Sequence, residues 1–403
     1  MLRSLERWIQ FGILAVLVLA PTQWSVGIPP KIHVSPVDPV LALTAVLGLW
    51  WAWRGRHGQQ FNAPSIFAIL FVVIGLLSVT VAQNRSAAFK EVAQWGLYFI
   101  AGWSLFRYGL QDIKTRRLGV GIVVWVALTI ITVSLFQFYH SSVPDLQVRA
   151  FFGNRNVLSG FLALVIPFAF AQALAGTNPL AGLAGVVVAL VGLCVTLSGA
   201  AVLGILVALF AMAAFQGRFA MVLTLAFTLF LLVVIHPNLP RRDTMSDPWL
   251  DSIAMHDVEG ELSRRYPDWE CGWLMMVDHP WRGVGADNYQ ERISGFRRIP
   301  TRPGAPEPDT QNLYLVLGST LGFPGMLVFI AMLFEGMAVA FKAMVAPVRG
   351  QAPDRALALG AFGSLLAYSI TAIWHPLLVR GVGIPLVAVL ALAHHLHEQS
   401  LRR

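Results

Sequence analysis

Apolar residues in this chain do not recur at a helical or strand period. They run together in stretches of about 17 to 25, broken by short polar gaps. The stretches lie at 8–28, 36–53, 63–82, 87–106, 118–138, 156–175, 179–197, 199–216, 219–236, 312–336, 356–373 and 381–397. In lipid a backbone donor finds no water, so such runs must close their hydrogen bonds internally, and nothing resembles the alternation of a membrane barrel. The pattern therefore predicts an all-α, polytopic integral membrane protein of about 12 transmembrane helices. The first run also admits a signal-peptide reading, with Arg3 and Arg7 before it and small residues near Ala20. Pro21 directly after that site is a poor context for cleavage.

Composition supports the lipid environment. Hydrophobic residues make up 56% of the chain and charged ones 12%, against about 25% charged in a soluble domain, and the mean hydropathy is +0.66. The net charge of +8 would raise the question of nucleic acid in a soluble protein. Here Arg and Lys sit in the gaps between apolar runs, where they read as topology signals, and no nucleic-acid partner is expected. With the N-terminus inside, fourteen basic residues fall on the inner side and six in the short outer loops or span ends. Both termini are then cytoplasmic. The segment 237–311, with nine Arg and thirteen acidic residues, becomes one large outer loop subdomain between a bundle at 1–236 and a second at 312–403. Within it, residues 265–277 read as an amphipathic helix with Trp269 and Trp273 at i and i+4. Cys194 and Cys271 show neither metal-ligand spacing nor a disulfide framework.

Three polar segments carry candidate chemistry, and all map to the outer face. The first runs from Arg149 through Gly153, Asn154 and Arg155 to Asn156 at the start of the sixth run. Arg forks bind diphosphate oxygens in bidentate fashion and Asn can bond sugar hydroxyls, although an interfacial anchor would look similar. The second contains Arg264, Arg265 and Trp269, then His279, Pro280, Gly283, Val284 and Gly285. The third is Asp309-Thr-Gln311-Asn312-Leu-Tyr314-Leu315, leading to Gly322 and Gly325, where Asp309 could simply cap the helix.

In this order the segments resemble the O-antigen ligase and O-antigen polymerase family of bacterial membrane glycosyltransferases. The family's Arg followed by Gly-x-x-Asn is seen as Arg149 and Gly153 to Asn156, and its Arg four residues before Trp as Arg265 and Trp269. Its His-Pro and Gly-Val-Gly pattern is seen from His279 to Gly285. Its closing His-Asn-x-Tyr-Leu is seen as Gln311-Asn312-Leu-Tyr314-Leu315. The chain departs from the pattern at Gln311, which cannot accept a proton at neutral pH, and at Ser198-Gly199-Ala200, which lacks the arginine of the family's Ser-Arg-Gly. Arg155 stands where proline is common.

The resemblance implies a metal-independent, cofactor-free transferase of the inner membrane. It would move a glycan from an undecaprenyl diphosphate carrier to a glycan, lipid or protein acceptor hydroxyl at the periplasmic face. Arg149 and Arg265 would meet charge developing on the leaving diphosphate. Asn154, Arg155, Asn156, Arg264, His279, Asn312 and Tyr314 would bind substrate. The general base would be vacant, or moved to Asp309, His279 or His256. Two other readings remain: a secondary transporter, disfavoured by dissimilar halves and few mid-span charges, and a non-catalytic member that binds lipid-linked glycan. His394, His395 and His397 read as interfacial, Trp50, Trp51 and Trp53 as an aromatic belt, and Glu335 as satisfied by the interface or Lys342.

Overall fold

The computed structural model describes residues 2–21, 26–28, 32–55, 64–140, 148–176, 178–196, 198–229, 258–297, 310–346 and 352–401. Ten helices cover the first nine apolar runs: α1 Leu2–Leu19, α2 Val37–Gly55, α3 Ile66–Ser78, α4 Arg85–Trp95, α5 Trp103–Gly109, α6 Ile113–His140, α7 Arg155–Ala175, α8 Pro179–Thr196, α9 Gly199–Ala214 and α10 Arg218–Leu229. The polar segment contributes α11 Val258–Asp278 and α12 Tyr289–Arg292, and the last three runs give α13 Leu313–Val345, α14 Ala352–Thr371 and α15 Gly383–Leu401. Each run is at least partly helical. Among the described residues four helices are long and apolar enough to cross a membrane by length and composition: Leu118–His140 within α6, α7, α8 and α13.

Local chemistry explains where the elements depart from the runs. The first run does not continue as helix to residue 28. Helix α1 stops at Leu19, because Pro21 disfavours the helical conformation at the residue before it. Val26–Ile28 then pairs antiparallel with Ile32–Val34 in a short ribbon, Val26 opposite Val34. Between α4 and α5 the chain continues through a wide π-helical turn, Gly96–Gly102, in which Tyr98 donates to Asp38 at 2.9 Å.

The tenth run is not one straight helix. Gly322 has φ 75° and ψ 179°, and Pro324 follows without an N–H. The Leu313 amide donates to the Ala372 carbonyl at 2.9 Å, while Gly336 packs against Leu365. Leu313 and Gly336 would lie about 35 Å apart on a straight helix, whereas Ala372 and Leu365 are only about 10 Å apart along α14. The part of α13 before Gly322 must therefore fold back against the direction of the part after it.

Polar ties sort the helix ends into two layers. At the end that carries α11 and α12, Arg380 pairs with Asp38 at 3.2 Å and donates to Gln94 at 3.1 Å, and the Asn84 amide donates to Asn288 Oδ1 at 2.6 Å. At the opposite end buried Arg107 pairs with Glu398, and buried Arg116 pairs with Asp354 at 3.1 Å and donates to Gln399 at 3.3 Å. Between the layers lies one continuous apolar core, in which Phe71 meets Trp95, Phe99 and Phe329 at centroid distances of 5.0, 5.5 and 5.5 Å.

Three expectations for side chains in the bundle change. Glu335 is held by Ser65 and lies 3.6 Å from His394 Nε2, so Lys342 is not its partner. His394 accordingly has a carboxylate neighbour and packs edge-on against Trp103, where an interfacial residue without such a partner was expected. Trp51 is buried against Tyr108, and only Trp53 of the expected belt is strongly exposed.

Candidate functional site

The first motif is a tight turn fixed by α6. Gln137 Oε1 accepts from the Ala150 amide at 2.9 Å and the Arg149 amide at 3.4 Å, and Ala150 takes a positive φ of 47°. Arg149 is exposed, and its Nη1 donates to the Gly153 carbonyl at 3.4 Å. Asn154 caps α7 by accepting from the Val157 amide at 2.9 Å. Arg155 and Asn156 form the first residues of that helix and are half-buried.

The third motif starts α13, with a different cap from the one expected. The cap is Asn312, whose Oδ1 accepts from the Leu315 amide at 3.1 Å; Asp309, the expected cap, lies outside the described residues, as does His256. Gln311 is exposed with φ 46°, and Tyr314 donates to the Ser369 carbonyl at 2.8 Å. Asn154, Asn312 and Tyr314 thus each have a structural partner besides any substrate.

The second motif divides in two. Arg264 and Arg265 lie in α11, where only their backbone is described, and the expected amphipathic helix is present but longer than residues 265–277. His279 follows α11, its Nδ1 3.3 Å from Asp278 Oδ2. The Gly-Val-Gly part is architectural. The break at Gly322 frees two carbonyls and one amide of α13, and the loop meets all three: Val284 N–H donates to Ser319 O at 2.9 Å, Gly285 N–H to Thr320 O at 3.0 Å, and Phe323 N–H to Pro280 O at 2.8 Å. Backbones come this close only because side chains are missing. A Cβ on Gly283 would lie 2.2 Å from Thr320 C, and one on Gly322 would lie 2.5 Å from Pro280 O. Buried Asn288 then fastens the loop to Asn84, and Arg282 reaches Thr80 at 3.3 Å.

A relay through Ser198 and the loop after α14 links the first motif to the third, and direct packing joins the third to α11. Ser159 donates to the Asn156 carbonyl at 2.9 Å and lies 3.2 Å from Ser198 Oγ, which lies 3.2 Å from His375 Nε2. Three residues before His375, the Ala372 carbonyl accepts the Leu313 amide at 2.9 Å. Thr310 and Leu315 in turn pack over Gly272 of α11, where a Cβ would meet Thr310 Cγ2 at 2.3 Å. His375 and Ser159 carried no sequence signal beyond a histidine in the short polar break between two apolar runs. Among the described residues no group of three His, Cys, Asp or Glu could hold a metal ion.

An apolar groove of about 640 Å³ runs between α13 and α14, lined by Ile330, Phe334, Met337, Phe341 and Phe362, with Tyr314 and Ser369 also on its wall. Phe334 is 64% exposed there, so the groove opens on the side of the bundle.

No curated protein matches the chain. A family model described as O-antigen ligase matches residues 184–330, a span that holds Ser198-Gly199-Ala200, α11, the Gly-Val-Gly loop and the start of α13. The resemblance carried by the second and third motifs is thus shared, over residues 184–330, with the O-antigen ligase family, whose members have a membrane glycosyltransferase-like role in polysaccharide assembly.

Proposed function

We propose that the chain transfers a glycan from an undecaprenyl diphosphate carrier to an acceptor hydroxyl at the periplasmic face of the bacterial inner membrane. The observation that supports the reading is the connection from Asn156 through Ser159, Ser198 and His375, along the chain to Ala372 and its partner Leu313, and on to α11, within and beside the O-antigen ligase match. It draws three segments that are distant in sequence to one end of the bundle.

In this reading the twelve apolar runs are twelve crossings, and the end bearing α11 faces the periplasm. Arg149 and Arg265 hold the diphosphate, with Arg155 and Arg264 beside them. As the bond from the anomeric carbon to the diphosphate oxygen breaks, negative charge grows on that oxygen and the arginines stabilise it. The acceptor oxygen bonds the anomeric carbon and releases its proton to water or to His279, since Gln311 cannot take it. Asn156 and Gln311 orient hydroxyls. The carrier's isoprenoid tail lies in the groove between α13 and α14, whose outer wall includes Tyr314, three positions from Gln311.

Transfer from a lipid-linked donor in membranes tests the reading. Arg149→Ala and Arg265→Ala should each lower the rate by roughly 10² or more, with Lys restoring only part because it lacks the planar fork. If Gln311→Ala abolishes transfer while both arginine variants keep it, the mechanism is wrong. A non-catalytic, glycan-binding role is the second reading, favoured by glutamine in the histidine position; it requires donor binding without turnover.

A further inference from the structure

The loop between α14 and α15 holds a buried histidine that the reaction above does not use. His375 is 4% exposed, and its Nε2 lies 3.2 Å from Ser198 Oγ. Ser198 and Ser159 are themselves 4% and 0% exposed, and Ser159 passes the connection to the Asn156 carbonyl. Burying an imidazole and two hydroxyls in an apolar bundle is unfavourable unless they satisfy one another, so the three form a unit.

The unit's position gives it meaning. On one side it grips the first turn of α7, directly after the Arg149 to Asn154 turn. Nearby, Leu377 packs so closely on Gly160 of α7 that a Cβ there would lie 2.6 Å from its Cδ2. On the other side, Ala372 holds the first amide of α13, directly after Gln311 and Asn312. The short segment 372–377 therefore touches the starts of α7 and α13, the two helices that begin directly after the turns the proposed site needs. Ser198 also belongs to the element in which the family's arginine is missing, and a side chain from the far C-terminal part of the chain ties that element down.

We propose that His375 is a positioning residue: through Ser198 and Ser159 it sets the gap between the Arg149–Asn156 turn and the Gln311–Asn312 turn. The proposal rests on reading those two turns as one site. An error of about 1 Å in such a gap can cost up to about a hundredfold in rate, so a clamp of this kind has kinetic weight.

The test compares His375→Gln, His375→Leu and Ser198→Ala in the full-length protein. Glutamine can still bond Ser198, and leucine cannot. In donor-transfer assays His375→Leu and Ser198→Ala should lower kcat about tenfold or more, with a smaller change in KM. Their combination should be no worse than the worse single variant, and His375→Gln should stay within about threefold of the parent. A second readout needs no substrate. Spin labels on Phe151→Cys and Gln311→Cys, with Cys194 and Cys271 replaced by Ala, report the gap directly. One narrow distance is expected in the parent and His375→Gln, and a broadened one in His375→Leu. Broadening in a protein that shows no transfer would keep the clamp and discard the transferase reading. Unchanged distances in His375→Leu overturn the clamp, whatever the activity. Loss of kcat in His375→Gln equal to that in His375→Leu also overturns it, because the ring would then act by taking a proton.

Discussion

At residue scale, Gln311 concentrates the difference between this chain and the family it resembles. Its φ of 46° lies in the left-handed region, which costs most residues about 1 kcal/mol or more and is visited more readily by Asn, Asp and His. Gln311→His should therefore fold like the parent and raise the transfer rate, by supplying a base with a pKa near the working pH. Gln311→Gly should raise the thermal midpoint in detergent, since glycine adopts this φ without penalty. Removing either cap, with Asn154→Ala or Asn312→Ala, should cost about 1 kcal/mol of stability, measured by the same unfolding assay. Cys271 lies in the polar segment, yet it is 4% exposed and its Sγ faces the Phe296 carbonyl at 3.6 Å. Burial, partly offset by Arg297, pushes its thiol pKa up. Its thiolate fraction at neutral pH is correspondingly small, so labelling should be slow and should accelerate as pH rises.

Among elements, the fold-back of α13 has the strongest consequences for mutation. Gly322→Ala puts a Cβ at positive φ against the Pro280 carbonyl, and Gly283→Ala puts one against the backbone of Thr320. Neither neighbour is a flexible side-chain end, so each variant should lose several kcal/mol of stability or fail to accumulate. Gly295→Ala, which meets open space at ordinary φ, is the control and should be near neutral by the same measurement. The existence and order of the helices were legible in sequence because apolar runs of this length have one solution in lipid. A cap was expected for α13, but from Asp309 rather than Asn312. Asn154 was read for hydroxyl binding rather than as the cap of α7, because an Asn before an apolar run suits either role. The reversal at Gly322 was not legible, because glycine followed by proline marks a kink without giving its angle, and the groups that satisfy it come from a separate loop. Nor could spacing show Ser65 and His394 around Glu335, or His375 against Ser198. Those pairings exist only after the helices pack.

For the whole molecule, sidedness is the property most open to direct measurement. In a background without native cysteines, Ser294→Cys lies exposed at the end bearing α11, and Leu401→Cys lies exposed near the last turn of α15. An impermeant thiol reagent should label the first in intact inner-membrane vesicles of native orientation, and the second only after permeabilisation. The reverse pattern would invert the proposed topology. The fold-back also imposes an order on biogenesis. A mostly apolar helix of 33 residues emerging alone would be read as one long straight crossing, with no partner for the backbone groups that its reversal exposes. Here Val284 and Gly285 leave the ribosome 35 positions ahead of Ser319 and Thr320, so the donors wait before the acceptors exist. Vectorial synthesis thus favours the bent helix. A circular permutant that makes residues 258–297 after residue 345 should leave the chain threaded straight through the bilayer, with the same residues and the wrong shape.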